Sequence, residues 1–148
     1  MKKLIIFLLL AIPFISFGQV HFDLGFGATK SIVNYKMDKT VVPTFKASVG
    51  GTFSNNISVE AIMNTSISRS ANSSGLFGAK VGYAFGNFIP SVGYFYNFRT
   101  YDTYGKNSFE VGYDLKYLLP IHDCGGLYFE ALYTKSTIGL STGIHIVF

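Results

Sequence analysis

Apolar and polar residues alternate one by one along much of the chain, most clearly in its last stretch, 137–148. One side of this stretch is almost wholly apolar and carries Ile138, Leu140, Thr142, Ile144, Ile146 and Phe148. The other side is mostly small or polar and carries Gly139, Ser141, Gly143, His145 and Val147. Successive side chains of a β-strand point to opposite faces. The pattern therefore predicts a strand with one apolar and one polar face.

The same alternation recurs in seven earlier segments, separated by polar or glycine-containing turns: 20–30, 41–51, 57–69, 76–85, 88–99, 108–119 and 126–133. Ile62, Ile89 and Phe95 interrupt the polar rows. Short turns between successive strands favour antiparallel neighbours. We therefore predict an all-β fold, a single eight-stranded antiparallel up-and-down β-barrel.

Side-chain volume predicts which face of this barrel points inward. The interior of an eight-stranded barrel is just wide enough for side chains to fill it. The apolar rows are rich in Phe, Tyr and Leu, whereas the polar rows carry the glycines Gly25, Gly27, Gly78, Gly82, Gly93, Gly112, Gly139 and Gly143. We expect the small residues inside and the apolar rows facing lipid. Open sheet edges do not occur in lipid, so a transmembrane sheet must close.

Strand length agrees with a membrane-spanning barrel. Eleven residues at about 3.3 Å each, tilted by about 40°, rise roughly 28 Å, against an apolar band of about 25 Å on outer-membrane barrels. A soluble periplasmic lipid-binding barrel is the alternative, with the apolar rows turned inward.

The first residues have the features of a secretory signal peptide. In residues 1–18, two lysines follow Met1 and precede an unbroken apolar run. The small residues Ser16 and Gly18 take the −3 and −1 positions of a predicted cut between Gly18 and Gln19. The predicted domain organisation is a cleaved signal peptide, 1–18, and a barrel, 19–148. This organisation predicts export and a place in the outer membrane of a Gram-negative bacterium.

Composition narrows the class of protein. Hydrophobic residues make up 49% of the chain and charged residues only 14%, which is little charge for a soluble domain. The formal charge of +4 includes the two lysines of the predicted signal peptide. The remaining charge is too small to favour nucleic acid as a partner. After the first segment, no apolar run reaches the roughly 18–20 residues of a membrane-spanning helix.

Charged residues fall on the predicted inner face: Asp23, Lys46, Glu60, Lys80, Arg99, Glu110, Asp114, Lys116 and Glu130. Acidic and basic groups are nearly balanced in number. Isolated charges inside a narrow barrel are costly. We therefore expect a paired lumen charge network that fills the barrel, in preference to a path for protons or solutes.

The histidines suggest no metal, cofactor or catalytic centre. His21 and His145 are predicted to be neighbours on the inner face near the periplasmic end, sharing a hydrogen-bond network without an evident third metal ligand. His122 belongs to a polar turn with Cys124, the single cysteine, so no intramolecular disulfide can form. No serine at the outer end has a histidine partner, so we predict that the protein is not an enzyme.

The alternation, the short turns at one end and the terminal Ile146-Val147-Phe148 resemble the small eight-stranded outer-membrane proteins of the OmpX and OmpA-barrel type. We expect a monomer in outer-membrane lipid, with a structural or interaction role in the envelope. The resemblance also implies that Phe148 is read by the barrel-assembly machinery. A narrow porin-like channel is the runner-up, followed by a lipid-modifying enzyme and then by the soluble periplasmic lipid-binding barrel.

Overall fold

The computed structural model describes residues 19–32, 41–66, 74–99 and 108–148. These residues form eight strands: β1 (Gln19–Ser31), β2 (Val41–Thr52), β3 (Ile57–Ser66), β4 (Ser74–Tyr83), β5 (Phe88–Arg99), β6 (Ser108–His122), β7 (Gly125–Thr134) and β8 (Thr137–Val147). The predicted signal peptide, with Gly18, lies outside the described residues, as do 67–69 of the third predicted strand.

Each strand pairs antiparallel with the next, and β1 pairs with β8 to close the barrel. In the closing pair, Asp23 lies opposite His145 and Leu24 opposite Ile144. The predicted all-β, eight-stranded, up-and-down barrel is therefore confirmed. Within the described part of the chain, no helix is long and apolar enough to cross a membrane.

The two ends of the barrel differ. The turn end carries Gln19, Phe148 and the connections 53–56, 84–87 and 123–124. The loop end is the opposite rim, where residues 135–136 connect β7 to β8.

Local chemistry explains two of the tight turns. Asn56 has a φ of 65° and Gly86 a φ of 58°, a left-handed conformation that asparagine and glycine tolerate best. The amide of Ile57 also donates to the side-chain oxygen of Asn55 at 3.2 Å. The chain can therefore reverse within a few residues at both places.

Strand β6 is longer than the sequence predicts. We expected it to end at Leu119 and a turn to occupy 120–125, but the strand continues to His122, with a register shift between Pro120 and His122. Proline lacks the amide hydrogen of a regular ladder, and a bulge is where a strand accommodates it. The fourth strand is also shifted toward the loop end, spanning Ser74–Tyr83 where we predicted 76–85.

The outer face of the barrel is apolar and uncovered. Phe26 is 65% exposed and Leu140 66%, and similar exposure is found along the outward rows of the other strands. Aromatic side chains group near both rims. Tyr83 contacts Phe85 near the turn end (4.6 Å between centroids), and Tyr96 contacts Phe109 nearer the loop end (4.8 Å). Aromatic girdles at two levels are typical of outer-membrane barrels.

The small apolar core lies inside the lumen. Ile62, Leu76, Phe95 and Leu132 form one buried cluster, called the apolar layer below. Glycines on neighbouring strands make room for its largest ring. A Cβ added at Gly78, Gly93 or Gly112 would lie 2.6, 2.6 or 2.7 Å from a ring atom of Phe95. The residues that interrupt the polar rows are therefore lumen-filling side chains.

Candidate functional site

Seven charged side chains converge inside the barrel, on the turn-end side of the apolar layer. This lumen charge cluster comprises Asp23, Lys46, Glu60, Lys80, Asp114, Lys116 and Glu130, each no more than 5% exposed. Six of the eight strands contribute to it. Each residue occupies an inward position because it alternates with outward apolar residues along its strand.

One half of the cluster is centred on Lys80. Its ammonium donates hydrogen bonds to Asp114 and to Glu130, the latter at 2.8 Å. Lys46 also donates to the same oxygen of Glu130. A carboxylate that accepts from two ammonium groups offsets part of their cost of burial in a low-dielectric interior.

The other half is centred on Lys116. Its Nζ lies 2.5 Å from Asp23 Oδ2 and 2.5 Å from Glu60 Oε2. The second oxygen of Glu60 faces Lys80 at 3.5 Å. Glu60 therefore joins the two halves into one network.

Two kinds of contact build this network. Glu60 faces Lys80 and Lys116 faces Glu130 as direct cross-strand partners. Other pairs reach across the lumen, such as Lys46 with Glu130 and Lys116 with Asp23. Seven of the nine predicted inner-face charges are brought together by these two kinds of contact.

Tyr128 is a member of this site that the sequence analysis did not select. Its side chain is fully buried, and Lys46 Nζ lies 4.5 Å and Lys116 Nζ 5.7 Å from its ring centroid. An aromatic face attracts a cation at such distances. The signal available in the sequence was an aromatic residue on a face otherwise made of small and polar residues.

The turn-end side of the cluster contains histidine, aspartate and serine, but not in a catalytic order. Asp23 accepts from Ser48 Oγ at 3.0 Å, and its other oxygen lies 2.5 Å from His145 Nδ1. In a hydrolase triad the histidine lies between the serine and the acid, so that it can take the serine proton. Here the acid lies between them, so the hydrogen-bond partner of Ser48 is a carboxylate and not a histidine.

The structure places a carboxylate that was not evident as a metal ligand from the sequence, that of Glu60, beside His21, one of the two neighbouring histidines. His21 and His145 are neighbours, with ring centroids 5.0 Å apart. One potential ligand atom from each of His21, Asp23 and Glu60 lies within 4.8 Å of the others. Glu60 is on β3, which does not pair with β1, so spacing along the sequence did not reveal this approach.

Glu110 lies apart from the lumen charge cluster, although the sequence grouped it there. Its carboxylate accepts from Ser108 Oγ at 2.7 Å, and from Ser136 through the backbone N–H at 3.0 Å and through Oγ at 2.7 Å. Glu110 precedes Asp114 by four strand positions, which is roughly 13 Å along β6. It therefore stabilises the connection between β7 and β8 at the loop end.

Three other predicted residues lie at strand or chain ends. Arg99 pairs through its backbone with Ser74, and its side chain lies outside the described part of the structure. Gln19 opens β1. Phe148 is 81% exposed at the turn end, and its amide donates to the carbonyl of Val20 at 2.8 Å.

Comparison with known proteins gives a clear result at the level of fold. No protein-family model matches the chain, and no curated protein matches it significantly. The attachment invasion locus protein Ail of Yersinia pestis aligns with a TM-score of 0.59 and 14% identity, over 87% of this chain and 99% of Ail. The fold is that of the small eight-stranded outer-membrane barrels.

A second solved structure supports the same assignment. Neisserial surface protein A, NspA, aligns with a TM-score of 0.52 and 15% identity, over 88% of this chain and 96% of NspA. The resemblance to barrels of the OmpX type predicted from the sequence is confirmed for the fold.

Proposed function

We propose that this protein is an integral, non-enzymatic β-barrel of the outer membrane of a Gram-negative bacterium, with a structural or interaction role in the envelope. The observation that carries the proposal is the inverted distribution of polarity. Large apolar side chains cover the outside of a closed barrel, and the lumen charge cluster is buried inside it. Exposure of such a large apolar surface to water is unfavourable, whereas its contact with lipid chains is favourable.

The packed lumen supports this role over that of a narrow channel. The lumen charge cluster spans the interior, and the apolar layer lies directly on its loop-end side. Tyr128 and Phe95 are both fully buried in these two layers. Side chains packed in this way favour a lumen without a continuous column of water.

The names of the similar structures support a role at the cell surface. Ail is described as an attachment invasion locus protein and NspA as a surface protein. We propose a surface-facing interaction role of this general kind, by a monomer in outer-membrane lipid. Residues 1–18 would be removed between Gly18 and Gln19, and Phe148 would be read by the assembly machinery during insertion of the barrel, 19–148.

Planar-bilayer recording of the purified barrel tests the closed lumen. The wild-type protein should show no steady unitary conductance. Replacing Lys46, Lys80 and Glu130 together by alanine should raise ion leakage, because these side chains occupy the middle of the lumen. Lys30→Ala, an exposed substitution on β1, is the control and should leave the recording silent. Stable, reproducible unitary openings of the wild-type barrel would favour the porin-like channel instead.

Cell fractionation tests the location. The protein should be recovered with outer-membrane lipid and require detergent for extraction. Recovery in a detergent-free soluble periplasmic fraction would favour the alternative, a soluble lipid-binding barrel.

A further inference from the structure

His21 is a buried side chain whose Nε2 faces a carboxylate just beyond hydrogen-bond distance. It is 3% exposed, and its Nε2 has no hydrogen-bond partner. The nearest carboxylate oxygen across the lumen, Glu60 Oε2, lies 3.6 Å away. A buried polar atom without a partner is costly. A potential nitrogen ligand therefore lies next to the Glu60 carboxylate without a hydrogen bond of normal length to it.

We propose that His21, Asp23 and Glu60 form a divalent metal site of the Zn²⁺ type in the turn-end part of the lumen. Imidazole nitrogen and carboxylate oxygen are common zinc ligands, and three protein ligands plus water make an open site. A tetrahedral site with bonds near 2.1 Å places its ligand atoms roughly 3.4 Å apart. The three atoms lie within 4.8 Å of one another. Side-chain rotations that move each atom by about 1 Å bring them to the separation of a tetrahedral site.

The surroundings of the three ligands hold them in position. His145 Nδ1 lies 2.5 Å from Asp23 Oδ1, and the ring of His145 lies 5.0 Å from that of His21. Contacts to the groups behind the ligands set their orientation in metal sites. His21 is the third residue of β1 and His145 lies two residues before the end of β8. An ion would therefore enter from the turn end.

Lys116 is the internal competitor for this site. Its ammonium lies 2.5 Å from Asp23 Oδ2 and 2.5 Å from Glu60 Oε2, between two of the proposed ligands. A metal ion must displace this ammonium from at least one carboxylate. The affinity for the metal ion therefore depends on the cost of displacing the Lys116 ammonium. Removing the lysine charge should strengthen metal binding, an effect that a chance site elsewhere would not show.

Titration calorimetry with Zn²⁺ on the full chain, refolded in detergent without an affinity tag, tests the proposal. The wild-type barrel should bind one equivalent. His21→Gln keeps much of the side-chain volume and an amide donor for Glu60 while removing the imidazole, and should weaken binding by at least about tenfold. Lys116→Met should tighten binding by about tenfold, because the competing ammonium is gone.

The control removes the exposed donors of the turn between β6 and β7. His122→Ala combined with Cys124→Ser should leave the affinity and the stoichiometry unchanged, because both residues are exposed at the turn. Loss of binding in this control, unchanged binding in His21→Gln, or no binding by the wild type up to about 1 mM Zn²⁺ would each overturn the site.

Urea unfolding with and without Zn²⁺ separates a metal site from a purely structural role of His21, Asp23 and Glu60. Lys116→Met leaves Asp23 and Glu60 without their shared cation, so its urea midpoint should fall, and Zn²⁺ should raise it again. A midpoint that does not respond to Zn²⁺ would overturn the proposal. These measurements require only the folded barrel, so failure of the metal site would leave the proposed membrane role untouched.

Discussion

At the scale of single residues, the lumen depends on charges that compensate one another. Lys80 is held between Asp114 and Glu130, and Glu60 faces it from the neighbouring strand. Water, which would otherwise solvate the ammonium and the carboxylates, is largely excluded from these buried groups. The loss of one member therefore leaves its partners charged and without compensation.

Lys80→Met should lower the free energy of unfolding by about 3–5 kcal/mol, the range for breaking a buried ion pair from one side. Urea unfolding in lipid vesicles measures the change. Lys30→Met, at an exposed position on β1, should change it by less than about 0.5 kcal/mol. Adding Asp114→Leu to Lys80→Met should recover part of the lost unfolding free energy. If Asp114→Leu instead caused the same loss in the Lys80→Met variant as it causes alone, the two residues would not be paired.

Phe95 offers a second test at this scale. A methyl group at position 112 would lie 2.7 Å from the ring of Phe95 and 2.9 Å from a methyl of Thr134. Gly112→Ala should therefore destabilise the barrel by about 1–3 kcal/mol through overpacking. In a double-mutant cycle, the double variant Gly112→Ala with Phe95→Leu should lose less unfolding free energy than the two single variants lose together. Strict additivity would show that the ring and the glycine are not in contact.

At the scale of the strands, each strand has one face on the exposed apolar surface and one face in the packed lumen. Outward side chains such as Leu115 and Ile144 are exposed on the apolar surface, while their chain neighbours Asp114 and His145 are buried in the lumen. Because the side-chain period is two, every strand carries both environments without any change of backbone conformation. The cost of a substitution therefore depends on face and depth.

Leu115→Arg and Ile144→Arg should each destabilise the barrel in bilayers by about 2–4 kcal/mol, the cost of arginine near the membrane midplane. Ile121→Arg, equally outward but at the turn end, should cost only about 0–1 kcal/mol. Gly112→Arg should fail by crowding the lumen, in detergent as well as in lipid. If Leu115→Arg were as mild as Ile121→Arg, the assignment of the lipid face would be wrong.

At the scale of the whole molecule, closure joins the two ends of the described chain. Strands β1 and β8 pair over eleven residues, from His21 with Val147 to Ser31 with Thr137. Without this pairing two strand edges would be open, a state that lipid does not permit. Closure also brings the turn-end residues His21, Asp23 and His145 together.

Cysteine crosslinking tests closure directly. In a Cys124→Ser background, Leu24→Cys and Ile144→Cys should crosslink efficiently, because these positions face each other on β1 and β8. Leu24→Cys with Phe77→Cys, an outward position on β4, is the matched control and should remain uncrosslinked. Equal crosslinking of the two pairs, or none in the first, would contradict the register.

The sequence by itself determined the strand number, most strand boundaries to within one residue and which residues face inward, because alternation is a local property of the extended chain. It placed Lys46, Lys80 and Glu130 on the inner face, and apolar bulk such as Leu140 on the outside. It missed the extension of β6 to His122, because Pro120 signals a turn and only the bulge shows how the strand continues.

Only the tertiary structure decided which inward residues meet. Lys116 and Asp23 are 93 residues apart and bond across the lumen, whereas Glu110, on the same face of the same strand as Lys116, bonds at the loop end. The approach of Glu60 to His21 likewise joins two strands that do not pair. Such contacts depend on the tilt and stagger of a closed barrel, which bring distant positions to the same depth. A period of two along each strand carries no information about that depth.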